Sequence, residues 1–124
     1  MKKLGDLIYT PESVSGEAIS KVESHTPKIE IPDTVKAGEP IDVKIVVGPH
    51  PNTIQHSIRW VELYFYEEGR VFNPILLGRV MFTPGYTEPE VVFRVKLRKP
   101  GVLYAVEYCN LHGLWEGRKE IRVE

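Results

Sequence analysis

The sequence predicts an all-β protein, a β-sandwich of about seven mostly antiparallel strands. Three observations lead there. Val, Ile and Thr number 15, 10 and 6, a quarter of the 124 residues, whereas alanine occurs three times. Branched side chains suit a pleated, half-buried surface, and alanine suits helices. Several runs alternate apolar and polar residues with period two. The runs are separated by Gly- and Pro-bearing turns too short for a crossover helix, which forces antiparallel pairing. A chain of this length is one domain and can bury a core without a disulfide.

Residues 1–24 are weakly periodic and read as an N-terminal arm that ends at the start of a functional loop. Glu17–Lys21 can form a short helical turn after Pro11. Residues 25–124 read as the single sandwich domain. Ile29–Ile31 is a short strand stopped by Pro32, and Ala37–Pro40 is a turn. Ile41, Val43 and Ile45 alternate with Asp42 and Lys44, and the strand continues through Val47. Pro49 and Pro51 make residues 48–52 a loop, because two prolines cannot sit in a central ladder.

His56 opens the longest expected strand, which runs to Tyr66. Ile58, Trp60, Tyr64 and Tyr66 fall on one face, and Val61, Leu63 and Phe65 on the other. Both faces therefore look covered over its second half. Glu67–Gly69 turns the chain into a strand over Leu76–Phe82, followed by a turn-rich connection over 83–89. Val91, Phe93, Val95 and Leu97 alternate with Arg94 and Lys96, a strand with one wet face. Pro100 and Gly101 lead into a strand over Val102–Tyr108. A loop is expected from Cys109 to Gly117, and a last strand over Lys119–Val123. The expected topology is immunoglobulin-like.

Composition excludes several functions. Lys plus Arg total 16 against 17 for Asp plus Glu, a net charge of -1. No basic excess exists to meet a phosphate backbone, so nucleic acid is not an expected partner. No apolar run reaches the length of a membrane span, and none follows Met1-Lys2-Lys3 at signal-peptide length. The single cysteine, Cys109, precludes an internal disulfide and points to a cytoplasmic protein.

The chemistry lies in the four histidines, His25, His50, His56 and His112, and in Cys109. Each alone has an ordinary explanation: a solvated loop histidine, or a small buried cysteine at a strand end. The Cys109-x-x-His112 spacing by itself often arises by chance. None of the histidines is placed like a packing residue inside a strand, however. Loops at one end of a sandwich can gather all five. Imidazoles suit Fe, Cu, Ni or Zn, and a soft thiolate excludes Mg and Ca. Zinc prefers four ligands, whereas five leave one octahedral position open, which favours a redox iron with a substrate site. A copper electron carrier on a cupredoxin-like sandwich is the alternative. It normally wants an axial Met just after the last His, where this chain has Gly113, Leu114, Trp115 and Glu116. A metal-free binding sandwich is a third reading.

His50-Pro51-Asn52-Thr53, His56 and the strand Ile58–Phe65 resemble the central signature of superoxide reductases. Tyr108-Cys109-Asn110-Leu111-His112-Gly113-Leu114-Trp115-Glu116 resembles their C-terminal signature, Glu23-Ser24-His25-Thr26-Pro27 the N-terminal one, and Tyr86-Thr87-Glu88-Pro89 a further segment. The likeness runs from about residue 20 to the end.

The resemblance implies a mononuclear non-haem iron that reduces superoxide to hydrogen peroxide by one electron. Four equatorial imidazoles (His25, His50, His56, His112) and an axial thiolate (Cys109) would hold it. It implies that Glu23 can occupy the sixth position in the ferric state, and that Asn110 and Leu111 lie against the cofactor. Backbone N–H groups of Leu111 and His112 would temper the sulfur. With one cysteine the likeness is to the one-iron, neelaredoxin-type branch, related to the iron domain of desulfoferrodoxin. That branch implies a rubredoxin-like electron donor and a homotetramer. One departure stands out. Members commonly carry Lys between the Glu and the His, a residue that draws in the anion, and this chain has Ser24. Either another cation, Lys21 or Lys28 being nearby, supplies the field or the metal's own charge suffices, and a weaker salt dependence of the on-rate is expected. The loops before His50 and between Phe82 and Tyr86 also look shorter than usual.

Overall fold

The structure, a computed structural model, describes all residues from Met1 to Glu124. Eight strands form two sheets. β1 (Lys28–Glu30), β3 (Pro40–Val46) and β6 (Glu90–Lys96) make a three-stranded sheet in the order β1-β3-β6. β2 (Thr34–Val35), β8 (Gly113–Val123), β7 (Gly101–Cys109), β4 (Ile58–Glu67) and β5 (Ile75–Met81) make the second, in the order β2-β8-β7-β4-β5. Every pairing is antiparallel except the short parallel contact of β2 with β8.

The core lies between the sheets. Val43 and Ile45 from β3 meet Val61, Leu63 and Phe65 from β4, Leu103 and Ala105 from β7, and Ile121 from β8. These residues hold the period-two positions, so strand alternation alone turns them inward. Each buried aliphatic or aromatic side chain contributes about 1.5–3 kcal/mol of burial free energy. Cys109 belongs to the same cluster and is fully buried. The metal-ligating end of the molecule thus grows out of the core.

The structure departs from the sequence expectations in several places, beginning with eight strands where about seven were expected. The fourth strand begins at Ile58, not His56, which is left in the preceding bend. A register shift between Ile58 and Trp60 then puts Ile58 on the core face with Val61, not with Trp60. A bulge of this kind adds one residue and reverses the alternation across it. The outer face of β4 is only partly covered, with Tyr66 exposed, because no third layer packs over it. Most of the expected loop from Cys109 to Gly117 is strand. β7 and β8 form a hairpin in which Cys109 pairs with Gly113, and only Asn110, Leu111 and His112 turn the chain.

Glu17–Lys21 is helical, as expected, within a 3-10 turn over Gly16–Lys21 that runs into a single α-turn, α1, over Val22–His25. The rest of the arm is more ordered than an irregular cover. Tyr9 pairs with Trp115 in a parallel bridge, donating to the Leu114 carbonyl at 2.9 Å and accepting from the Glu116 N–H at 2.8 Å. The arm thereby extends the edge of β8 and seals the sheet beside the histidines.

Candidate metal centre

Three segments converge at one end of the sandwich. α1 ends in His25, which is 3% exposed. After His25 the chain crosses β8 at Gly117, where a Cβ would collide with the Pro27 carbonyl oxygen. Only glycine lets the two backbones approach this closely. A tilted ring contact braces His25, its centroid 5.2 Å from that of buried Trp115 at an interplanar angle of 39°. Trp115 Nε1 also donates to the His112 carbonyl at 3.0 Å, so one side chain braces two of the histidines.

His50 and His56 come from the loop between β3 and β4. Gly48 turns that loop at φ +131°, a conformation that favours glycine. The ammonium of Lys28 donates to the Gly48 carbonyl at 2.9 Å. Thr53 and His56 close a small turn by reciprocal backbone hydrogen bonds of 2.9 and 3.2 Å. Asn52 ties this loop to the β5–β6 connection, accepting from the Gly85 N–H at 2.8 Å.

Cys109 and His112 come from the β7–β8 hairpin. Asn110 clamps that hairpin to the His56 loop: its Oδ1 accepts from the Ser57 N–H at 2.9 Å, and its Nδ2 donates to the Gln55 carbonyl at 2.8 Å. Arg59, on the bulge, donates to Ser57 Oγ at 2.9 Å and to the Ile54 carbonyl at 2.6 Å.

The result is a compact donor set. One ligand atom from each of His25, His50, His56, Cys109 and His112 lies within 4.8 Å of all the others. The four rings form a closed circuit, with centroid separations of 4.7 Å from His25 to His50, 4.6 Å to His56, 5.0 Å to His112 and 5.0 Å back to His25. His50 and His112 are opposite corners of that circuit. Cys109 Sγ is 3.5 Å from His50 Nε2 and 3.6 Å from His112 Nδ1. The sulfur is thus nearly equidistant from two opposite corners and lies on the plane that bisects their diagonal.

The hydrogen-bond partners of the rings assign their protons, and the assignment points the free nitrogens at a shared cation. His50 Nδ1 lies 2.7 Å from the Pro51 carbonyl, and His25 Nδ1 lies 3.1 Å from the Lys21 carbonyl. A carbonyl only accepts, so both rings carry their proton on Nδ1. Their Nε2 lone pairs then face each other at 3.2 Å. His25 Nε2 is also 3.2 Å from His112 Nδ1, and buried His56 Nε2 has no partner. Imidazole nitrogens about 2.1 Å from a shared ion stand roughly 3 to 3.4 Å apart. The set therefore fits one metal ion.

Electrostatics agree. Burial, and then the neighbouring His50, holds the imidazole of His25 down to about 4, and burial also lowers His50 and His112. The rings are thus neutral and ligand-competent at physiological pH. Burial pushes the Cys109 thiol up, while the backbone N–H groups of Leu111 and His112 oppose that by hydrogen bonding to the sulfur. A metal ion deprotonates such a thiol outright. A fourth imidazole, not a methionine, completes this set, and Met81 is exposed on β5. Copper gains no support.

All five ligands expected from the sequence are brought together. Glu23, two residues before His25, is exposed and stands outside the clustered donors. Trp115 and Arg59 lie within the signature segments, but their supporting roles, and that of Ser57, show only in the structure. Glu107, fully buried with both carboxyl oxygens unpartnered, was not singled out. Its position between Ala105 and Cys109 at period two was a readable signal.

Comparison with known proteins follows the same line. The desulfoferrodoxin family model matches residues 17–118. Superoxide reductase of Pyrococcus horikoshii is 49% identical over 107 residues, covering 82% of this chain and 90% of that protein. Neelaredoxin of Megalodesulfovibrio gigas is 39% identical over 119 residues, covering 84% of this chain and 91% of that one. The solved structure of superoxide reductase (neelaredoxin) from Ignicoccus hospitalis superposes with a TM-score of 0.93 at 68% identity, covering 99% of this chain and 100% of that one.

Proposed function

The chain belongs to the desulfoferrodoxin family, among its neelaredoxin-type superoxide reductases, and on that premise we propose how its residues divide the work. The observation that carries the function is the five-donor set of His25, His50, His56, Cys109 and His112, which matches the Fe(His)4(Cys) centre of a superoxide reductase. Bound there, iron would supply one electron to superoxide, and the reaction takes up two protons to give hydrogen peroxide without dioxygen.

The imidazoles of His25, His50, His56 and His112 and the thiolate of Cys109 would together hold the iron. The thiolate would donate electron density to the metal and so favour release of the product. The N–H groups of Leu111 and His112 withdraw part of that density. Asn110 acts through the backbone, holding the Cys109 hairpin against the His56 loop. Lys21 takes the part of the missing lysine at position 24. Its charge bears on both His25 and His112, which it lowers, whereas Lys28 is tied to the Gly48 carbonyl. A positive field beside a shallow site raises the encounter rate of an anion. Glu23, exposed on α1 two residues before His25, is the carboxylate that would reach toward the oxidised metal and help product leave. Protons come from water at the open face.

An immunoglobulin-like strand order, a cytoplasmic location, a homotetramer and a rubredoxin-like donor complete the reading, all supported by the family likeness. Exposed Ile54 and Leu111 flank the His56 loop and the hairpin turn, and offer the donor an apolar rim. The test is metal analysis after anaerobic purification, combined with product stoichiometry. One iron per chain, one peroxide per superoxide and no dioxygen are expected. Copper, or dioxygen released in step with peroxide, would overturn the reading.

A further inference from the structure

We infer that Ser24 is a positioning residue for His25: its hydroxyl and the Lys21 carbonyl together hold the ring proton on Nδ1 and aim Nε2 into the donor set. The inference rests on the iron-centre reading above and adds a role for the residue at which this chain departs from the family pattern.

Three polar atoms make a triangle on the outer side of the ring. Ser24 Oγ is 2.7 Å from His25 Nδ1, Nδ1 is 3.1 Å from the Lys21 carbonyl, and Oγ donates to that same carbonyl at 3.2 Å. The carbonyl can only accept, so the hydroxyl proton and the Nδ1 proton both turn toward it. That leaves a hydroxyl lone pair facing Nδ1–H at the shortest of the three distances. The other tautomer fails on two counts. It sets a ring lone pair against the carbonyl at 3.1 Å. It also puts a proton on the Nε2 that faces His50 and His112 at 3.2 Å, where it occupies the lone pair a metal ion would take.

A hydroxyl that donates to a carbonyl while accepting from an imidazole is polarised by both bonds. Two acceptors on Nδ1–H fix the ring plane and make Nε2 a stronger donor. The geometry requires a short hydroxyl side chain. Alanine leaves the carbonyl as the only acceptor. Lysine has no acceptor at all and cannot replace the hydroxyl. Position 24 therefore acts on the ligand, while the positive field comes from position 21.

The test compares the unchanged chain with Ser24→Ala and Ser24→Thr. Competition of each apoprotein with a ferrous chelator reads ligand strength. Loss of an outer hydrogen-bond partner of a ligating histidine costs ten- to a hundredfold in metal affinity. With the Lys21 carbonyl still in place, about a tenfold loss is expected for Ser24→Ala. Ser24→Thr should bind like the unchanged chain. The midpoint potential should rise in Ser24→Ala, because weaker donation disfavours the ferric state, and return in Ser24→Thr. Should the alanine chain fail to fold, the isosteric pair Ser24→Thr and Ser24→Val decides the same question. The proposal is overturned if hydroxyl and non-hydroxyl variants share one affinity and one potential, or if threonine falls as far as alanine. An unchanged chain that binds no iron would instead bring down the iron-centre reading itself.

Discussion

The Nε2 atoms of His25 and His50 stand 3.2 Å apart, while the Nδ1 of each ring faces a backbone carbonyl to which its N–H donates. Two lone pairs held this close repel in the bare protein. A shared cation turns that repulsion into coordination. The fold sustains the arrangement because each ring is fixed from outside, by Lys21 and Trp115 on one side and by Pro51 on the other.

Lys21→Met should slow superoxide consumption by roughly tenfold at low ionic strength, the lower end of electrostatic steering. It should also flatten the dependence of rate on salt. Lys28→Met, which removes a bond to the Gly48 carbonyl, should leave the salt slope in place. Stopped-flow or pulse-radiolysis rates over a range of ionic strength check this. Equal slopes in Lys21→Met and the unchanged chain would exclude Lys21 as the guiding cation.

Asn110→Ala should cost about 1–3 kcal/mol of stability, because it strands the N–H of fully buried Ser57. The Cys109 hairpin and the His56 loop then lose their clamp, and iron occupancy should fall with stability. Denaturant titration alongside iron content reads both effects.

Gly117→Ala should destabilise by about 1–3 kcal/mol or more through overpacking. The new methyl meets the Pro27 carbonyl, a backbone atom that cannot rotate away. The crossing that it disturbs carries His25, so thermal unfolding and the visible spectrum of the ferric protein should change together. An unchanged melting temperature would contradict the close approach.

Glu107 makes stability depend on pH. Burial pushes its carboxyl from 4.5 up to about 9. Between those values the folded chain keeps a proton that the unfolded chain releases, so stability falls as pH rises. Glu107→Gln should stabilise the neutral-pH protein and flatten that slope. Denaturant titrations across the window, on the unchanged chain and the variant, compare the slopes directly.

How much of this was readable beforehand depended on the kind of interaction. Strands such as β3 and β6 show in the sequence because one face is wet and the other buried, which imposes alternation on Ile41–Ile45 and Val91–Val95. Ile58 was put on the wrong face because a bulge reverses alternation without any local marker. The start of β8 was missed because Gly113, Glu116 and Gly117 look like loop residues. They are strand only because β7 and the arm pair with them. β2, two residues long, exists through its contact with the end of β8.

The five ligands were legible because their side-chain types are rare and have few other uses at loop positions. Their supports were not. Asn110, Ser57, Arg59 and Trp115 act through backbone carbonyls and N–H groups that no spacing rule reveals.

Iron K-edge X-ray absorption of the unchanged chain and of Cys109→Ser tests the central claim most directly. The account predicts one iron per chain, with a nitrogen shell and one sulfur neighbour in the unchanged protein. In Cys109→Ser the sulfur neighbour and the sulfur-to-iron charge-transfer band should both disappear, with most of the activity. A spectrum without sulfur in the unchanged protein, or a sulfur neighbour that survives in Cys109→Ser, would contradict it.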